Sequence, residues 1–237
     1  VLADLLKNQS PIRAGKIAFL FGFGLWLHGG SWLVVSMYHF GGTSLPLALA
    51  LLTFVAALMA LLFIPIGWLY ARFKLDHLAW LTLPALLVIG EWLRSWVLTG
   101  FPWLMTGYGF IDTPLAGWAP LFGVYGVSLA AGITGIALFH IIRDGKKAYL
   151  QLLTLGILWI GGGLLSPIAW TQIDRQQAMS VSLVQGNIPQ ESKWALEWRD
   201  KTVKIYRDLS ASEWGRDLVL WPEAAIPMFA HEAQDVM

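Results

Sequence analysis

Leu218-Val219-Leu220-Trp221-Pro222-Glu223-Ala224-Ala225-Ile226-Pro227 sets a short apolar run against a proline and a single carboxylate. An apolar run of strand length stopped by proline reads as a buried β-strand, and such a strand delivers its last residues, backbone fixed, to the rim of a sheet, where open α/β folds keep their ligands. Glu223 is therefore the first candidate for a working acid or base; an exposed carboxylate at a strand end is the plainer alternative. The run is the second of two. Ser180-Val181-Ser182-Leu183-Val184 alternates like a strand, and Gly186-Asn187-Ile188-Pro189 forms a turn. From about Ser192 to Ser212, Trp198, Thr202, Ile205 or Tyr206, and Leu209 share one face at helical period, with Arg199, Asp200, Lys204 and Arg207 elsewhere. Strand, crossover helix and strand make one βαβ unit. Two parallel strands bury too little surface to stand alone, so residues 171–237 read as the beginning of a larger α/β domain, cut off at Met237.

What precedes this segment is of another kind. Of 237 residues 57% are hydrophobic and only 13% charged, and the mean hydropathy is +0.60, too apolar for an ordinary soluble domain. The charges are also unevenly placed. Residues 1–170 hold nine basic and five acidic side chains, whereas the shorter 171–237 holds seven and ten. A membrane part is followed by a polar part, with the boundary near Thr171.

A hydrocarbon core is crossed by roughly 20 apolar residues in helical form. Five stretches meet that length: Ala14 to Tyr38, Leu45 to Tyr70, Leu78 to Leu98, Ala116 to Ile142 and Ala148 to Trp170. Lys7, Arg13 and Lys16 lie at the start of the first, Arg72 and Lys74 follow the second, and Arg143, Lys146 and Lys147 follow the fourth. The connectors around Gly41-Gly42-Thr43 and from Thr99 to Leu115 contain no Lys or Arg. Basic connectors stay cytoplasmic, so five crossings put the residues after Trp170 on the extracytoplasmic face. The absence of an initiator Met, and a first apolar stretch too long for a cleavable signal, make the start read as truncated. With no cysteine there is no disulfide and no thiolate metal site in the chain.

Within the spans, Gly22, Gly24, Gly29, Gly30, Gly126, Ala130 and Gly161 to Gly163 suit close helix packing. Glu91 and Arg94 are three apart on one helix face, and ionisable groups in a span are expensive, so they are expected to pair with each other, a lipid-headgroup contact being the alternative. His28 and His140 are single histidines and read as packing residues. Trp92, Trp96, Trp103 and Trp118 read as an interfacial belt, and Thr99-Gly100-Phe101-Pro102-Trp103 as a turn lying on or in the interface.

Four segments taken in order carry a resemblance: Val35-Ser36-Met37-Tyr38-His39-Phe40-Gly41-Gly42; Glu91-Trp92-Leu93-Arg94-Ser95-Trp96-Val97-Leu98-Thr99-Gly100-Phe101-Pro102-Trp103; Val184-Gln185-Gly186-Asn187-Ile188-Pro189-Gln190 with Lys193-Trp194; and Trp221-Pro222-Glu223-Ala224-Ala225-Ile226-Pro227. Together they resemble the bacterial apolipoprotein N-acyltransferases, from about residue 14 to 229. The resemblance implies a multi-pass α-helical membrane bundle, five spans of it here, followed by the start of an α/β nitrilase-like (carbon–nitrogen hydrolase) domain of αββα layering on the periplasmic side of the inner membrane. It also implies acyl transfer from a membrane phospholipid to the N-terminal amine of a diacylglyceryl-cysteine apolipoprotein, by a Glu-Lys-Cys triad working in two half-reactions. No metal, cofactor or nucleic acid is called for, and a monomer is expected.

In that resemblance Glu223 matches the general base. Trp194 matches a tryptophan near the active-site entrance that contacts lipid or acyl chain, a packing role at a helix start being the alternative. The family's lysine and nucleophilic cysteine lie downstream of the matching glutamate, and its first two and last transmembrane helices have no counterpart here. This chain alone is accordingly expected to be inactive. Two other classes stay open: a membrane-anchored amidase of the nitrilase superfamily, which shares Glu223, and a non-enzymatic membrane module such as a transporter half or a lipid-binding partner, which needs no Glu223.

The connector charges generate a topology test. Single cysteines introduced at Ser44 and Ser212 should react with a membrane-impermeant thiol reagent in intact cells, and one at Gly145 should not. Protection at Ser212 would refute the assignment of sides.

Overall fold

The computed structural model describes residues 2–75, 79–144, 149–172, 178–229 and 231–233. The expected span starts at Leu78 and Ala148, and the connector with Lys146 and Lys147, lie outside the described residues. The chain divides into two compact units, Val1–Trp170 and Thr171–Met237.

The first unit is helical. Its elements are α1 (Leu2–Leu6), α2 (Pro11–Gly29), α3 (Trp32–Val35) running into a π-turn over Ser36–Phe40, α4 (Leu45–Ala60), α5 (Phe63–Arg72), α6 (Ala79–Arg94), α7 (Ala119–Asp144) and α8 (Tyr149–Leu165). The start of α2 is written in its sequence. Ser10 is extended and its Oγ accepts the Arg13 N–H at 3.4 Å, while Pro11 supplies the preset φ of a first helical residue. Along α2 the buried positions Ala14, Ala18, Gly22 and Trp26 recur every fourth residue, as do Ala48, Leu52, Ala56 and Ala60 along α4. These are mostly small side chains, which let helix backbones close on one another where lipid offers no hydrophobic drive to association. A Cβ added at Gly67 of α5 would stand 2.3 Å from the Ala14 carbonyl oxygen, and one at Gly22 would stand 2.5 Å from the Phe63 ring. The core here is Ala14, Ala18, Trp26, Ala56, Phe63, Ile66, Tyr70 and Leu83.

A second cluster, Leu115, Val127, Ala130 and Ala131, holds α7 and its lead-in turn Pro114–Trp118. There α8 docks through Gly162, whose added Cβ would meet the Pro114 carbonyl oxygen at 2.2 Å, and the Trp118 indole N–H donates to the Leu158 carbonyl at 2.8 Å. Trp118 is thus committed to the fold by its hydrogen bond, whereas Trp92, Trp96 and Trp103 are 49%, 53% and 51% exposed.

The span count differs from the sequence reading. Leu45–Arg72 and Pro114–Arg143 are long and apolar enough to cross a membrane among the described residues, and Pro11–Gly29 with Trp32–Phe40 makes a third only if a 45° bend falls within one span. The break comes at Gly30-Ser31, where the Gly30 N–H still bonds Trp26 but the helix restarts in a new direction. α6 and α8 have 16 and 17 residues, shorter than the expected spans 78–98 and 148–170. Hydropathy ran on past their ends because the flanking turns are themselves apolar, as in Trp96-Val97-Leu98 and Ser166-Pro167-Ile168-Ala169-Trp170.

The second unit has β1 (Val181–Leu183), α9 (Arg199–Ser210) and β2 (Leu218–Leu220). The two strands pair in parallel, Val181 opposite Leu218, Ser182 opposite Val219 and Leu183 opposite Leu220. In α9 the buried stripe is Thr202, Val203, Tyr206 and Ser210; Leu209, expected inside, is 48% exposed. The helix is turned so that two small hydroxyl residues face inward, one of which serves as a hydrogen-bond relay described below.

Gly67 tests the backbone contact between α2 and α5. Gly67→Ala should destabilise the membrane unit by about 1–3 kcal/mol, the cost of overpacking. Gly24→Ala, at a position with nothing within 4 Å of the added Cβ, should not. Reversible denaturant unfolding of the purified chain in detergent checks the pair, and equal midpoints would reject the packing account.

Candidate functional site

In the second unit Asp217 and Ser180 fasten the strand starts to each other. The Asp217 carboxylate accepts from both the N–H and the Oγ of Ser180 at 2.7 Å, and the Asp217 N–H donates to Ser180 Oγ at 3.0 Å. These bonds, that from the Ser180 backbone foremost, hold the Asp217 carboxyl below its ordinary pKa. At the other end the Val184 N–H donates to the Leu220 carbonyl at 2.9 Å.

Trp221 follows directly. Its ring lies 5.4 Å from that of Tyr206, and its indole N–H donates to Ser210 Oγ at 2.8 Å, which in turn donates to the Tyr206 carbonyl at 2.7 Å. Gly186 permits this arrangement, since a Cβ there would sit 2.7 Å from the Tyr206 ring. Val184, Tyr206 and Ala225 form the small core beneath.

The chain then turns over Pro222 to Ala225. The Ala225 N–H donates to the Pro222 carbonyl at 3.2 Å, and Ala224 is left-handed with φ 57°. Glu223 stands in this turn, exposed, with Trp221 and Ala225 anchored on either side of it. Lys193 Nζ donates to the Glu223 backbone carbonyl at 3.5 Å, and the Glu223 carboxyl group has no hydrogen-bond or ion-pair partner among the described residues. Trp194, beside Lys193, is 67% exposed, and among the described residues no hydrogen bond or ring contact joins it to Glu223. The two sequence candidates therefore lie on segments that Lys193 ties together, without touching each other.

The first unit carries a polar cluster that the sequence reading placed differently. Glu91 and Arg94 are buried, 7% and 4% exposed, but they form no ion pair with each other. Each reaches instead to the following loop. Glu91 Oε1 accepts from the Thr106 N–H at 2.9 Å and from Thr106 Oγ1 at 2.7 Å. Arg94 Nη2 donates to the carbonyls of Trp103 at 2.9 Å and Leu104 at 3.3 Å, and the guanidinium lies 5.2 Å from the centre of the Trp26 ring. The loop these bonds hold has Thr99, Gly100 and Leu104 at positive φ, with 74°, 84° and 57°. At Gly100 the space admits nothing else, as a Cβ would stand 2.1 Å from the Ser95 carbonyl oxygen. Three-residue spacing pointed to an internal pair. Thr106 is one of several hydrogen-bonding side chains between Thr99 and Leu115, with Thr99, Tyr108, Asp112 and Thr113, and nothing in the sequence singled it out as the partner of Glu91.

An apolar helical unit with membrane-length segments, followed by a strand–helix–strand unit that presents a carboxylate at a strand exit, defines a membrane protein of mixed α and α/β build. Residues 1–137 match the family model described as the apolipoprotein N-acyltransferase N-terminal domain. Proteins named apolipoprotein N-acyltransferase from Photobacterium profundum, Methylococcus capsulatus and Coxiella burnetii are 38%, 36% and 36% identical over 96%, 96% and 98% of this chain. The chain spans 44%, 46% and 49% of their respective lengths. It belongs to the apolipoprotein N-acyltransferase family.

The anchor next to Glu223 can be tested without reference to chemistry. Ser210→Ala leaves the Trp221 indole N–H without its acceptor, and a buried donor so orphaned costs about 1–3 kcal/mol. Amide hydrogen exchange should show the Val184 and Leu220 segments opening more readily by that amount, with the membrane unit unchanged. Unaltered exchange in both segments would show that the relay does not hold the strand end.

Proposed function

We propose that this chain supplies the membrane bundle and the base-bearing strand of an enzyme that moves an acyl chain from a membrane phospholipid to the N-terminal amine of a diacylglyceryl-cysteine apolipoprotein. The observation that carries the proposal is Glu223: a carboxyl group with no partner among the described residues, in a turn fixed on both sides, at the exit of a parallel strand. A general base needs a free acceptor oxygen carried on a positioned backbone, and Glu223 offers both.

Chemically, Glu223 takes the proton of a cysteine thiol as sulfur attacks the phospholipid ester carbon. The thioester forms and the lysophospholipid leaves as an alcohol, receiving the proton. The apolipoprotein amine then attacks the thioester, the amide forms and the thiol is restored, while a lysine stabilises the oxyanion in both halves. Neither that lysine nor the cysteine is assigned to this chain, which has no cysteine. Trp194, exposed beside the segment that bonds Glu223, offers an aromatic face to an acyl chain. The outward faces of the strands, Val181, Leu183, Leu218 and Leu220, are 39–76% exposed, which suits coverage by a second layer of a nitrilase-like domain. The basic connectors support a periplasmic location for that domain, on the outer face of the inner membrane.

The test is single-turnover thioester formation from labelled phospholipid, in a protein completed with the cysteine-bearing segment. Glu223→Gln keeps size and most hydrogen bonding but accepts no proton, so the rate should fall by about 10²–10⁴, as on losing a general base. Membrane insertion should be intact, and the 237-residue chain alone should take no label. A near-normal rate in the folded Glu223→Gln protein would remove Glu223 from the mechanism.

A further inference from the structure

Gly15 faces Ile64 and Trp68 while Gly22 faces Phe63, so α2 and α5 lie side by side in opposite directions. Near the start of α2 they leave an open groove of about 550 Å³, floored by Gly15 and walled by Ile12, Lys16, Phe19 and Leu20 of α2 and Ile64 and Trp68 of α5. Only carbon faces into it, Lys16 contributing its aliphatic stem. Ile12, Leu20 and Trp68 are 72%, 65% and 41% exposed, so nothing among the described residues covers the walls. Such a surface offers water no partner and favours an apolar occupant. From Pro11 to Leu20 a helix rises about 14 Å, close to the roughly 15 Å half-thickness of a hydrocarbon core. The groove thus has the length of one acyl chain.

Its head is cationic. Arg13 and Lys16 are exposed near the start of α2, whose first turn has no acidic residue. The helix dipole disfavours cations there. Neither side chain has a hydrogen-bond or ion-pair partner among the described residues, and Asp4 of α1 is engaged by Arg143 at 2.8 Å. Helical side chains lean toward the N-terminus, which carries the Lys16 ammonium out of the groove toward the turn that holds Arg13. Topology is served by basic residues anywhere in a connector. Lys16, however, stands inside the apolar stretch, on the groove wall itself.

We propose that this groove binds one acyl chain of an anionic phospholipid, with the lipid phosphate held between Arg13 and Lys16. The anion meets two uncompensated cations and the positive end of the helix, and the chain meets carbon along its length. A zwitterionic lipid brings its own cation against Arg13 and Lys16 and gains less. The site lies wholly in the membrane unit and does not depend on the acyl-transfer reading.

The 237-residue chain in nanodiscs of equal phosphatidylglycerol and phosphatidylcholine, released and weighed by native mass spectrometry, should retain phosphatidylglycerol with about tenfold preference, within the roughly fivefold that each interfacial cation supplies. Arg13→Gln combined with Lys16→Met removes both charges, keeps an apolar wall and should abolish the preference. Lys7→Gln, at an exposed lysine ahead of α2 that does not line the groove, should keep it. Leu20→Trp fills the groove from an exposed wall position and should lower the amount of lipid retained. Equal retention of the two lipids would mean annular lipid only and overturn the proposal. So would a preference that survives the double substitution or the filled groove, which places the lipid elsewhere, and one lost equally in Lys7→Gln, which reports only the diffuse charge of that end. Preference in this chain but none in a protein of the relatives' full length would make the groove the seat of another helix, and would overturn it too.

Discussion

In a medium without water each polar group must find its partner inside the protein, and the end of α6 with its following loop is arranged around two groups for which this is hardest. Glu91 and Arg94 are carried by one helix, yet they do not neutralise each other by direct contact. The carboxyl group satisfies the N–H and hydroxyl of Thr106, and the guanidinium satisfies two carbonyls, those of Trp103 and Leu104. A non-helical loop would otherwise expose its backbone groups to lipid. The charges make irregular backbone tolerable here, and the loop makes the charges tolerable. Removing either partner leaves the other uncompensated, which is why the left-handed turns at Thr99 and Leu104 can persist in a segment held at so few points.

The same logic explains which parts of the fold are legible from residues alone. Close-packing glycines such as Gly22 and Gly162 and the alternation around Ser182 each encode a local preference that the fold keeps, whereas Gly24, read from the sequence as a packing position too, meets nothing within 4 Å of an added Cβ. Span number is not local. Apolar turns such as Trp96-Val97-Leu98 have the hydropathy of a span and the geometry of a connector, and only the bend at Gly30-Ser31 and the short runs of α6 and α8 separate the two. At Glu91 and Arg94 the three-residue spacing gave the right face and the wrong partners, because the competing acceptors, loop carbonyls, are present in every sequence and distinguished in none.

The place of Glu223 just beyond a strand end was legible because proline and an apolar run fix where a strand ends. Its surroundings were less so. The inward turn of α9 depends on Ser210, whose hydroxyl links the Trp221 indole to the Tyr206 carbonyl, and a serine on a helix gives no sign that it is buried. Residues of unremarkable type thus hold the strand exit, while the Glu223 carboxyl group takes no part in the holding.

Ala224, next to Glu223, occupies a left-handed conformation that costs an alanine roughly 1–2 kcal/mol and a glycine little. Glycine in its place would suit the turn better and would also widen the range of shapes open to it. Alanine gives up some equilibrium stability and narrows the arc through which the neighbouring carboxyl group swings. A substitution at this position chosen only to raise the melting temperature would therefore also change how freely the backbone beside Glu223 moves.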